Sequence, residues 1–199
     1  MNDTNAVYKN ISIMLIVIVS ICNFGLGLVT GLSTDKKIIR YEFDITKDYY
    51  SMPEKYDFMI PDMSKYICNL SDQFGIDSDL VVAILLQENP AINPLATNRN
   101  PNGTIDVGLF QLNDKYLYSD FLKKYWKITE IEFDAYNWKH NAFIAINHIY
   151  NLKLKLKNDD DVIKAYNCGI NATMKNNIPE STQNYHAAIQ KKLKLLKGK

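Results

Sequence analysis

Between residues 80 and 86 the chain reads Leu-Val-Val-Ala-Ile-Leu-Leu, without a polar position. That stripe is too wide for an amphipathic surface helix, and a helix that is apolar all round is a buried one. Asp77 or Ser78 offers a cap for its start. Pro90 ends it, because the residue before a proline is pushed out of the helical region. The pattern predicts a buried helix with Glu88 in its last turn, on the same face as Val81, Ile84 and Leu85. Upstream, Met63, Ile67 and Leu70 with Tyr66 and Phe74 repeat at helical spacing, with Pro61 at the start and Gly75 as the stop. Downstream, residues 98–106 are polar, and Asn102-Gly103 is a turn signal between two extended segments. A short hairpin there carries Asp106 just before Gly108, whose missing Cβ allows close backbone approach or an unusual dihedral. Gln111 and Asn113 then alternate with Phe110 and Leu112.

The second half of the chain continues the helical pattern. The run Tyr116, Tyr118, Phe121, Tyr125 and Trp126 is aromatic and reads as core, with sugar stacking as the other use for such rings. Residues 134–140 read as a loop and 141–156 as a helix with Phe143, Ile146, Ile149 and Tyr150 on one face. Residues 158–161 form a polar turn that caps a helix whose Val162, Ile163 and Tyr166 face inward. Residues 185–196 read as the final helix. Its lysines Lys191, Lys192, Lys194, Lys197 and Lys199 make a basic end, read as solvated, with contact to anionic polymer or lipid headgroups as the alternative.

The amino-terminal region is different. Residues 11–32 are apolar, and as a helix they reach about 33 Å against a hydrocarbon core of about 30 Å. They read as a membrane anchor or as a signal peptide ending at Gly31-Leu32-Ser33. Lys9 precedes the segment, while Lys36, Lys37 and Arg40 follow it, which by the positive-inside rule favours the opposite orientation to export. Cys22 does not suit a lipoprotein, because Ile21 before it is large. Residues 33–57 read as a linker or arm, and residues 58–199 as the folded domain.

Composition narrows the class. A chain of 199 residues that is 47% hydrophobic is that of one globular domain plus appendages. The net charge of +1 gives no pull toward nucleic acid. His140, His148 and His186, with Cys22, Cys68 and Cys168, lack zinc spacing. There is no repeat at solenoid periods.

The candidate chemistry sits on Glu88. Burial disfavours its charged form, and the partial negative charge of a helix C-terminus acts in the same direction. A free glutamic acid, with a reference pKa of about 4.3, is protonated about once in 500 molecules at pH 7. A proton donor needs a larger protonated fraction, which this position supplies. The plainer reading of the same spacing is a helix-end glutamate that reaches water.

Glu88, then Asn93-Pro94-Leu95-Ala96, then Gly108-Leu109-Phe110-Gln111-Leu112-Asn113, resembles the lytic transglycosylase (SLT) domain of the lysozyme-like superfamily. Ala165-Tyr166-Asn167-Cys168-Gly169 resembles that family's Ala-Tyr-Asn-Ala-Gly. Pro179-Glu180-Ser181-Thr182-Gln183-Asn184-Tyr185 resembles its Pro-x-x-Thr-x-x-Tyr. The motifs stand in the family's order over residues 58–192. Asn141 resembles the Asn that opens the corresponding family helix. The chain departs from the pattern at Asn89, where the family has Ser, and in an extra residue before Asn93-Pro94.

The resemblance implies a mainly α (α+β, lysozyme-like) fold, helical with a small β-hairpin beside the cleft. It implies cleavage of the β-1,4 bond between N-acetylmuramic acid and N-acetylglucosamine in peptidoglycan, leaving a 1,6-anhydro end. Glu88 is the implied general acid and base. Asn98, Asp106, Gln111, Tyr166, Asn167 and Tyr185 are the implied cleft residues, with Tyr166 lying against the glutamic acid. No metal or cofactor is implied, and the expected partner is a glycan strand met by a monomer in the cell envelope, exported or held to the membrane by residues 11–32. The 102–108 segment also resembles the hairpin of animal-type lysozymes, which carry a second carboxylate there. Hydrolysis by Glu88 with Asp106 is therefore an alternative, and Asp106 as a simple turn residue is another. A glycan-binding module without turnover is a third reading. Cys68 and Cys168 read as packed thiols, and in an exported protein the sequence leaves open whether the two pair in a disulfide.

Overall fold

The computed structural model describes residues 54–117 and 133–198. The expectations for residues 1–53, and for Tyr118, Phe121, Tyr125 and Trp126, lie outside them. The described part begins with one turn of 3-10 helix, Glu54–Tyr56, followed by α1 (Pro61–Gln73) and α2 (Ser78–Glu88). Three short strands come next: β1 (Thr97–Arg99), β2 (Ile105–Val107) and β3 (Leu112–Asn113). Then follow α3 (Trp138–Lys153), α4 (Asp159–Cys168), the short α5 (Ile170–Met174) and α6 (Glu180–Lys197). Among the described residues no helix is long and apolar enough to cross a membrane.

Helix α2 is the centre of the core. Leu80, Val81, Val82, Ala83, Ile84 and Leu85 are all buried. The side chain of Asp77 accepts from the Asp79 backbone N–H and caps the start. Asn89 follows the last residue as the C-cap. Helix α1 opens on Pro61 and ends in a paired C-cap. There Gly75 N–H bonds the Asp72 carbonyl and Ile76 N–H the Ser71 carbonyl, with Gly75 at φ +63°. The α1 stripe Met63, Ile67 and Leu70 packs inward, as its spacing predicts.

Helix α6 runs antiparallel to α2. Tyr185 meets Glu88 at one end, and Lys197 pairs with Asp77 at 3.1 Å at the other. Thr182, Tyr185, Ile189, Leu193 and Leu196 form its buried stripe. The 3-10 turn is tied to the start of α2 by the buried Asp79. That carboxylate accepts from the Tyr56 hydroxyl at 2.5 Å and pairs with Lys55 at 2.7 Å.

Three element boundaries differ from the sequence reading. Helix α3 begins at Trp138 rather than 141, because the Asn137 side chain accepts from the N–H groups of Lys139 and His140. It ends at Lys153 rather than 156, since the chain must turn before Asn158 caps α4 through Asp161 N–H at 2.8 Å. Helix α6 begins at Glu180, directly after Pro179, because Thr182 is buried in its first turn. The sheet differs as well. The hairpin has a third strand and the antiparallel order β1-β2-β3, with Asn98 opposite Asp106 and Asp106 opposite Asn113. In the 100–104 turn, Gly103 N–H bonds the Asn100 carbonyl, and Gly103 sits at φ +82°.

Cys68 and Cys168 are both free thiols, which answers the pairing question the sequence left open. Cys68 is buried on α1, and burial pushes its thiol up. Cys168 lies at the end of α4, with Sγ 3.6 Å from Thr173 Oγ1.

Candidate active site

Glu88 sits where the buried helix α2 meets the sheet and α6. Its Oε1 accepts a hydrogen bond from the Tyr185 hydroxyl at 2.5 Å. Burial raises the Glu88 carboxyl to about 7; the Tyr185 bond lowers it, and the charge of Asp106 raises it further. Burial dominates because the hydroxyl supplies one donor to a carboxylate that has lost most of its hydration. A carboxyl at about 7 is held half-protonated near neutral pH, which suits a group that must both give and take a proton.

Asp106 lies in the middle of β2 and is held by two amides. Asn113 Nδ2 donates to its Oδ1 at 2.7 Å, and Asn100 Nδ2 to its Oδ2 at 2.8 Å. It is therefore a clamped carboxylate rather than a turn residue bonding its own backbone.

Asn89 bridges the end of α2 to the loop that follows. It is buried, its Oδ1 accepts from Asn93 N–H at 3.2 Å, and its Nδ2 donates to the Asn93 carbonyl at 2.8 Å. The side chain that departs from the Ser pattern thus pins the extra-residue loop on both polar atoms.

Gly108, Gln111 and Asn141 build the floor beside the sheet. The Asn141 Oδ1 accepts from Phe110 N–H at 2.7 Å, and its Nδ2 donates to the carbonyls of Val107 at 3.0 Å and Ala135 at 2.9 Å. A Cβ on Gly108, at φ +77°, would lie 2.2 Å from Asn141 Nδ2, so only glycine fits. Gln111 adopts φ +49°, and its Nε2 donates to the Gly108 carbonyl at 2.9 Å. Its amide nitrogen is thereby fixed to the loop backbone.

Tyr166 faces the same place without bonding Glu88. Its hydroxyl lies 3.5 Å from the Phe110 carbonyl, to which it donates. Burial, then the charges of Glu88 and Asp106, push that hydroxyl well above the usual tyrosine range. The tyrosine that hydrogen-bonds the carboxyl is Tyr185, while Tyr166 is near enough for the charge of Glu88 to act on its hydroxyl. Behind Tyr166, the His148 ring of α3 packs at 5.5 Å between centroids. Burial and then Lys155 lower that imidazole to about 4, so it is neutral at pH 7.

Two of the expected cleft residues stand apart from this cluster. Asn167 is exposed, and its Oδ1 accepts from the Thr182 hydroxyl at 2.6 Å, joining α4 to the first turn of α6. Asn98 is exposed on β1 opposite Asp106. Sequence reasoning missed the Asn100 and Asn113 clamp. The one available signal was the density of Asn residues around Asp106, which turn chemistry also explains. Among the described residues no group of three or more His, Cys, Asp or Glu side chains is placed to hold a metal ion.

The constellation is a half-buried carboxyl with a raised pKa, a tyrosine on its oxygen and a second carboxylate fixed in a neighbouring strand. Such an arrangement can protonate a leaving oxygen and then recover a proton. A search among curated proteins found no match. A family model described as the transglycosylase SLT domain matches residues 65–189, more than half of the chain, with Glu88, Asp106, Tyr166 and Tyr185 inside the match. The chain belongs to the transglycosylase SLT domain family, a family of lytic transglycosylase-type, glycosidase-like enzymes.

Proposed function

We propose that this protein is a peptidoglycan lytic transglycosylase, exported to the cell envelope, with residues 58–199 as its catalytic domain and residues 11–32 as a signal peptide or anchor. Glu88 first protonates the glycosidic oxygen as the bond to C1 of the muramic acid breaks, which is worth about 10²- to 10⁴-fold in rate. The Glu88 carboxylate then takes the proton of the same sugar's 6-hydroxyl. The O6 atom bonds to C1 and closes the 1,6-anhydro ring, and Glu88 ends protonated as it began, so no water is consumed.

The observation that carries this reading is the Glu88 carboxyl itself, raised to about 7 by burial at the end of α2. Tyr185 supports the base step, because its hydroxyl stabilises the carboxylate that forms when the proton leaves. In this reading Gln111 and Tyr166 lie beside the sugar, Asn98 on β1 meets it from outside the Glu88 cluster, and Asn167 acts by fixing the start of α6.

Hydrolysis is a second reading, favoured by one observation: the Asp106 carboxylate is close enough for its charge to act on Glu88. A retaining hydrolase needs two carboxyl groups about 5 Å apart. Turbidity loss of a peptidoglycan suspension with the wild-type protein, against none with Glu88→Gln, tests the assignment of Glu88. Equal loss with both would remove Glu88 from the mechanism.

A further inference from the structure

The polar network around Asp106 has a defined direction. The Asn113 Oδ1 accepts from the backbone N–H groups of Lys115 and Tyr116, both at 3.2 Å. That pins the amide, so its NH₂ must face the sheet, where it donates to Thr104 Oγ1 at 2.9 Å and Asp106 Oδ1 at 2.7 Å. The Thr104 hydroxyl spends its own proton on Asn102 Oδ1 at 2.8 Å. Its oxygen is left to accept from Asn113 and from Asn100, the latter at 3.1 Å. Asn100 Nδ2 also donates to Asp106 Oδ2 at 2.8 Å. Every proton in the network that reaches Asp106 comes from an amide that cannot accept one, and both carboxylate oxygens are held.

We propose that Asn100 and Asn113 are positioning residues for the reaction: with Thr104 between them, they hold the Asp106 carboxylate in one orientation as a fixed negative charge beside Glu88. The inference rests on the reading of Glu88 as proton donor. Among the described residues, the groups that face Glu88 are Tyr185 from α6, Tyr166 from α4 and Asp106 from β2, while Lys192 of α6 binds the neighbouring Gln87 at 2.7 Å. Among them Asp106 is the one whose charge holds the proton on Glu88, and a charge acts at a distance set by where it is fixed. A carboxylate released from the clamp turns toward water, and its effect on Glu88 weakens.

The test is the pH dependence of kcat/KM on soluble peptidoglycan fragments, whose alkaline limb reports the essential acid. Asp106→Ala removes the charge and moves the limb to lower pH. Asn100→Ala and Asn113→Ala move it the same way by a smaller amount, about half a unit. Thr104→Val keeps the side-chain shape and carries the same test if an Asn variant fails to fold, folding being checked by the melting temperature. A limb that moves in Asp106→Ala but stays in place in folded Asn and Thr variants overturns the positioning role and leaves the transglycosylase reading intact. A limb unmoved in Asp106→Ala overturns it equally. Full activity in Glu88→Gln overturns the transglycosylase reading, and this inference with it.

Discussion

The hydroxyl of Tyr185 donates to Glu88 Oε1 at 2.5 Å, from a residue 97 positions later in the chain. The bond favours the charged form of Glu88, opposing the burial that raises its carboxyl. Tyr185→Phe removes that donor and leaves the burial. The alkaline limb of kcat/KM is expected to move up by about one unit, since a hydrogen bond to a charged group contributes about 1.5–3 kcal/mol. The shift is opposite in sign to that expected from loss of Asp106. A pH–rate profile of the two variants side by side distinguishes them.

The raised Glu88 carboxyl also costs stability. Its pKa rises from 4.5 when free to about 7 in the fold, so between those values the unfolded chain ionises while the folded one keeps the proton. The folded state therefore loses stability as pH rises through this window, by about 3 kcal/mol once above it, at about 1.36 kcal/mol per unit. Glu88→Gln removes the titration. Its melting temperature should exceed that of the wild type at pH 8, and the difference should disappear toward pH 4. Parallel curves across this range would contradict the buried, protonated carboxyl.

Two glycines with similar dihedrals should respond differently to substitution. Gly103 at φ +82° has open space where a Cβ would go, so Gly103→Ala pays the left-handed backbone alone, about 1 kcal/mol. Gly108 at φ +77° would place a Cβ 2.2 Å from Asn141 Nδ2 and 2.5 Å from the Ala135 carbonyl. Gly108→Ala must also displace Asn141, which bonds three backbone groups, and is expected to lose about 3 kcal/mol or more. Urea denaturation of both variants measures the difference.

The two thiols should differ in reactivity. Cys68 is buried with its thiol pushed up by that burial, while Cys168 is partly exposed. A thiol reagent is expected to label Cys168 in the folded protein and Cys68 only after denaturation, as peptide mapping would show. Recovery of a linked Cys68–Cys168 peptide would contradict the free-thiol arrangement.

The parts of this site legible in the sequence are those that follow from periodicity and backbone restriction. The apolar run from Leu80, the cap at Asp77 and the proline at 90 place Glu88 in the last turn of a buried helix, and the structure has it there. Asn102-Gly103 marks a real turn, and Gly108 a real close approach. What periodicity does not carry is which side chains meet across elements. Tyr166 and Tyr185 look equally suited to Glu88 as residues, and only the antiparallel packing of α6 on α2 selects Tyr185. Asn100 and Asn102 fall in a polar stretch that reads as a turn, and Asn113 reads as one polar position of an alternating pattern, because the amides that build turns are also the amides that hold a carboxylate. Thr182 gives no outward sign that it ties the first turn of α6 to Asn167.

In the proposed reaction one glutamate both gives and takes the proton, with the sugar's own hydroxyl as nucleophile. Mass spectrometry of the glycan fragments released from purified peptidoglycan, beside a Glu88→Gln control, tests it most directly. The proposed reaction leaves 1,6-anhydromuramic ends with the wild type and none with the control. Reducing ends one water heavier would contradict it, and would move Asp106 from a fixed charge to a member of a hydrolytic pair.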